Sequence, residues 1–146
     1  MIKRTFFSLF LLAAVSVSAM TQVDKIVGSW KTIDDKDGSE KALVIIYKTT
    51  DGKFAGKIEK LFKYPGSKCA ACEGNLKNKP IEGMTIINNM IEKGGTLSGG
   101  TILDPESGKT YKCFIQFDEK TGKLKVKGAL DKMGMLGRTQ IWVKAK

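Results

Sequence analysis

From Gly28 onward, apolar and polar residues alternate with a period of two, in short blocks separated by turn-forming groups. Successive side chains of an extended strand point to opposite faces, so this period marks strands with one buried side. The blocks predict strands over residues 28–34, 41–48, 53–62, 83–91, 97–104, 109–118, 123–129 and 136–143. Between them stand Asp37-Gly38, Asp51-Gly52, Gly94-Gly95, Asp104-Pro105-Glu106-Ser107-Gly108 and Thr121-Gly122, which tolerate positive φ or preset a turn and so predict hairpins. Gly99-Gly100, inside a block, predicts a bulge or a close backbone approach at a barrel corner. Ahead of the first strand, Thr21 with Asp24 three residues on predicts one capped helical turn, with Val23, Ile26 and Val27 on its apolar side. Two longer connections, residues 63–80 and 130–135, break the rhythm.

Eight short strands joined mainly by tight turns predict an all-β fold, a single up-and-down antiparallel sheet. Closing it into an eight-stranded barrel removes its edges and leaves an interior that is filled by side chains or holds one small ligand. Tyr47, Phe54, Tyr111, Ile115 and Phe117 are the expected lining of such a ligand site. In the last strand Leu136, Arg138, Gln140 and Trp142 share a face. Arg138 is the only arginine beyond residue 19, and an inward guanidinium needs a partner to pair with or stack on. Trp30, in the first strand, is the expected partner, so Trp30, Arg138 and Trp142 form an expected structural clasp where the sheet's ends meet.

The first nineteen residues read as a Sec export signal. Lys3 and Arg4 give a basic start, 6–17 an apolar run and Val17-Ser18-Ala19 a small-residue cleavage site before Met20. The run is shorter than the roughly 20 residues that span a bilayer, and no later stretch is long enough. Residues 20–146 are then the barrel domain, exported to the periplasm or secreted. Without Lys3 and Arg4 the net charge falls from +10 to +8. A basic exported protein can meet anionic envelope surfaces, yet the lysines of Lys123-Leu124-Lys125-Val126-Lys127 also suit the wet face of a half-buried strand. One arginine and no cluster of stacking aromatics argue against nucleic acid as a partner.

The chain contains no histidine, which excludes Ser-His-Asp and Cys-His nucleophile pairs and histidine-bound zinc. Glu73 follows Cys72 where covalent haem attachment needs histidine. Asp34, Asp35 and Asp37 lack the spacing and distal glutamate of a calcium loop and read as an acidic turn. No catalytic set, cofactor or metal site is expected. The reactive candidates are Cys69 and Cys72 in the long connection and Cys113 on a core-facing strand. A structural disulfide is the default in an oxidising compartment, either within the Cys-x-x-Cys or from the loop to Cys113. A redox pair, or an incomplete thiolate zinc set with Glu73, are the alternatives.

Several ordered motifs carry a resemblance. Gly28-x-Trp30 with Arg138 late in the last strand resembles the lipocalin (calycin) pattern. Asp24-x-Ile26-x-Gly28-x-Trp30-Lys31-Thr32, Gly56-Lys57-Ile58, Lys79-Pro80-Ile81-x-Gly83-Met84, Gly99-Gly100-x-Ile102-Leu103-Asp104-Pro105, Ser107-Gly108-Lys109-Thr110-Tyr111, Leu124-x-Val126 and Leu136-Gly137-Arg138-Thr139-Gln140-x-Trp142 follow in sequence. Together they resemble the bacterial exported family called domain of unknown function 2147, in its Bacteroidetes-like branch. The resemblance implies an exported lipocalin-like barrel and no recognised catalytic set. Leu97-Ser98-Gly99-Gly100 and Lys127-Gly128-Ala129 stand where members of that family often carry an aromatic and an Arg-Gly-Tyr. The functional expectation is an exported, non-enzymatic protein that binds a small apolar or amphipathic molecule. The alternatives are a thiol-redox protein using Cys69 and Cys72, and an envelope structural or interaction protein acting through its lysine-rich surface.

Overall fold

The computed structural model describes residues 13–16, 20–131 and 134–146. The basic start, most of the apolar run and the expected cleavage site lie outside them, as do Lys132 and Met133 of the last connection. One helical turn, α1 (Gln22–Ile26), precedes eight strands: β1 (Gly28–Ile33), β2 (Glu40–Lys48), β3 (Phe54–Leu61), β4 (Thr85–Lys93), β5 (Thr96–Asp104), β6 (Lys109–Asp118), β7 (Lys123–Ala129) and β8 (Gly137–Lys144). Each strand pairs antiparallel with its sequence neighbours, and β1 pairs with β8 to close the barrel. Every block of alternation becomes a strand, with ends moved by a residue or two.

Alternation sets the inner wall. Ala42, Val44 and Ile46 of β2, Leu124 and Val126 of β7, and Cys113 and Ile115 of β6 are buried, whereas Lys123 and Lys125, alternating with Leu124 and Val126, face water. Register irregularities at Leu43/Val44, Gly56/Lys57 and Leu97/Gly100 supply the bends that closure needs. Gly100 marks a close approach between β4 and β5. A Cβ there would run into Asn88 O and the Met90 sulfur, beside an Asn89 held at φ 56°. The expected close approach at Gly99-Gly100 is present, and glycine is what permits it.

One end of the barrel is plugged. Thr21 and Asp24 form the reciprocal capping box, which fixes where α1 starts. Gln22 and Lys25 both reach Glu119 in the β6–β7 turn, at 2.8 and 2.6 Å, and hold α1 against the barrel. Ile26 is fully buried, and its carbonyl accepts a 2.7 Å hydrogen bond from Trp30 Nε1. Phe117 meets the Trp30 indole edge-on, with ring centroids 6.4 Å apart. Buried Leu97, Ile115 and Leu124 complete this apolar half of the core.

The expected clasp has a different cation. Lys144 Nζ, not the Arg138 guanidinium, lies over the Trp30 ring, 4.7 Å from its centroid. Arg138 stands at the other end of β8, exposed and ion-paired with Asp35 of the β1–β2 turn. The reason is direction: antiparallel β1 and β8 place Trp30 opposite Lys144, at the end of the last strand. That contact is short. Only Trp30–Lys144 and Lys31–Val143 pair across it, and toward the opposite end the ladder lapses.

Candidate functional site

In an up-and-down barrel all odd-numbered connections gather at one end. Here β1–β2, β3–β4, β5–β6 and β7–β8 surround the end away from α1. A cavity of about 830 Å³ opens there. Ala42, Val44, Ile58, Ile86, Val126 and Trp142 form its apolar walls. Thr32, Tyr111 and Gln140 bring polar atoms into them. Trp142 Nε1 donates to Gln140 Oε1 at 3.2 Å, and the Gln140 amide nitrogen, with no acceptor among the described residues, can donate to a guest. Among the described residues every buried side-chain nitrogen and oxygen has a partner.

Of the five expected lining residues, Tyr111 borders this cavity. Tyr47 does not: it points outward from β2, between inward Ile46 and the β2–β3 turn, and is half exposed. Phe54, Ile115 and Phe117 belong to the packed core or its edge rather than to the cavity. Trp142, expected as a clasp, is a wall of the cavity. Sequence analysis missed Ala42, Val44, Ile58, Ile86 and Val126. Of these, Val126, alternating with lysines, has a face that parity assigns, and parity carries no information about depth along the barrel axis.

Charged pairs ring the mouth. Lys41 meets Glu106 at 2.5 Å, and Arg138 meets Asp35. Lys63 bridges Asp34 and Asp37 at 2.9 and 2.8 Å, so the expected acidic turn holds an ammonium group. The hydrogen bonds from Lys63 hold both carboxyls below their ordinary value of 3.8, and the two carboxylates raise Lys63 above its own. A carboxyl whose folded value is depressed stabilises the fold above its unfolded value and stops doing so as pH falls through the folded one. The stability gap between wild type and Lys63→Met is therefore expected to be constant between about pH 5 and about pH 9, to shrink below about pH 4 as the carboxyls protonate, and to shrink again above about pH 10 as the lysine loses its proton, read as urea midpoints across pH. A gap that does not change with pH would dissociate the triad from stability.

Cys69 and Cys72 form a disulfide with Cα atoms 5.3 Å apart. Both are buried, Cys69 completely, and the Cys69 sulfur lies 3.2 Å from Pro105 O in the β5–β6 turn. An attacking thiolate has no access to sulfurs so covered, which favours a structural role over exchange. Cys113 is a separate buried thiol, and burial pushes it up to about 12. The disulfide turn supplies Ala70 and Ala71 to the mouth and packs on Gly108, at φ 71°, where any Cβ would overlap Ala71 O. Gly108→Ala is expected to displace this turn and make the disulfide reducible by mild thiols, with the β-sheet circular dichroism unchanged. A bond still resistant in that variant would show that the packing is irrelevant.

The fold and cavity together define an open-ended, eight-stranded barrel of lipocalin type. The solved structure of HP1028 from Helicobacter pylori, described as belonging to the lipocalin family, superposes with a TM-score of 0.72 at 21% identity, covering 82% of each chain. The bacterial family described as an uncharacterized protein conserved in bacteria, DUF2147, matches residues 28–144, and the chain belongs to it. None of the curated proteins matches.

Proposed function

We propose that this is an exported protein that holds one small apolar or amphipathic molecule inside its barrel. The carrying observation is the cavity: about 830 Å³, apolar in its depth, polar at a few points and open at one end. Its size falls within the range of small-molecule sites. Likeness to a lipocalin-family structure supports the same reading at the level of fold. Export is supported by the N-terminal signal pattern and agrees with a disulfide, a bond that persists in oxidising compartments.

Native mass spectrometry of the protein purified from its own host tests this directly, with release of a discrete molecule on denaturation as the expected result. Trp142 provides a second readout. It faces the cavity, whereas Trp30 is sealed at the plugged end, so ligand uptake is expected to alter one of the two indole signals. Protein that carries no molecule, and whose fluorescence ignores fatty acids, alcohols and aromatic probes alike, would sink the reading.

A further inference from the structure

The rim of the mouth has the wrong surface for water. Tyr64, Leu130, Met135 and Leu136 are 82%, 78%, 76% and 67% exposed, and among the described residues from α1 onward no other large apolar side chain exceeds 51%. All four lie on two connections, β3–β4 and β7–β8, which face each other across the opening. Single exposed apolar residues are ordinary, but four gathered at one opening form a patch, and patches of this kind mark contact surfaces. Tyr64, Leu130 and Leu136 also line the cavity, so the apolar tips border the same opening as Trp142.

We propose that this rim docks on a lipid surface, preferentially an anionic one, with the apolar tips entering its outer layer and the mouth facing it. A rigid partner would have to match two tips separated by an open cavity, whereas a lipid layer deforms around both. It also lays an apolar phase against the opening, so a hydrophobic molecule can pass without crossing water. Charge adds the preference for anionic lipid. Lys63 and Arg138 are already paired, but Lys68, Lys77 and Lys79 on the β3–β4 connection make no ion pair among the described residues, outnumber the two unpaired carboxylates there, Glu73 and Glu82, and Lys68 borders the cavity. Cations beside apolar tips are the arrangement that holds peripheral proteins on anionic headgroups. This docking goes beyond the cavity reading and needs no bound ligand.

Co-sedimentation with vesicles of phosphatidylcholine, alone or mixed with phosphatidylglycerol, tests it. The expected result is partition onto the mixed vesicles, weakened at least ~tenfold by the double variant Tyr64→Ser/Leu136→Ser, which alters two largely exposed side chains. Ile91→Ser, an exposed apolar residue toward the plugged end, is expected to bind like wild type. The triple variant Lys68→Gln/Lys77→Gln/Lys79→Gln is expected to lose the preference for phosphatidylglycerol. The proposal is overturned by no partition onto either vesicle, by tip variants that bind as tightly as wild type, or by equal losses in Ile91→Ser. It is equally overturned if sedimentation velocity shows a dimer that the tip substitutions dissolve, since the rim would then face a second copy of the chain. Retained ligand with absent vesicle binding would remove the docking and leave the cavity reading standing.

Discussion

Trp30→Ala is expected to cost about 3–5 kcal/mol of stability, the range for deleting a fully buried tryptophan. Trp30 has no exposed surface, donates to Ile26 O, meets Phe117 edge-on and carries Lys144 over its ring. Its loss leaves a cavity at the junction of α1, β1 and β6, and strips the buried Ile26 carbonyl of its donor. Urea denaturation should show a lower midpoint with little change in slope. Arg138→Ala, which removes an exposed ion pair, is expected to cost less than ~1 kcal/mol. The two substitutions therefore separate the real clasp from the one the sequence suggests. Equal losses in both variants would restore Arg138 to the closure of the barrel; a loss below ~1 kcal/mol for Trp30→Ala would remove Trp30 from it.

Val126→Trp is expected to weaken uptake of an apolar probe such as anilinonaphthalene sulfonate at least ~100-fold, equivalent to ~2.7 kcal/mol. Val126 stands on the inner face of β7 opposite Gln140 and borders the cavity. The added ring has the cavity to occupy, so it competes with the guest rather than with packed core. The thermal midpoint is expected to stay near that of wild type, because the plugged half of the barrel is untouched. A variant of unchanged stability that still binds the probe would place the binding site elsewhere on the molecule.

The strands were legible because each has one wet face. Lys123, Lys125 and Lys127 alternating with Leu124 and Val126 admit one assignment, and the barrel agrees with it. Residues 42–47 are less informative. Ala, Leu, Val, Ile, Ile and Tyr are all apolar, so parity could not decide between Val44 inward and Tyr47 inward. The hairpin from Lys48 to Phe54 resolves it only once β3 is paired. Arg138 fails for another reason. Its face is read correctly, since 138, 140, 142 and 144 share it, but its level is not. Chain direction alone could have shown that Trp30, early in β1, must meet the end of β8. The depth of the cavity was not legible at all, because it depends on which end α1 plugs, and that follows from contacts of Gln22 and Lys25 with a turn almost a hundred residues away.

Closure between β1 and β8 has a consequence for how the molecule can be held. Gly28 lies beside the Lys144 side chain, and the Ala145 amide donates to Ser29 O at 3.0 Å, so both chain ends leave from the plugged pole. Any leash attached to either end, whether an uncut leader, an affinity tag or a fused partner, pulls from the base of a cup whose lip points away. A barrel immobilised on a bead or surface through either end would keep its lip turned outward and its cavity open to a guest.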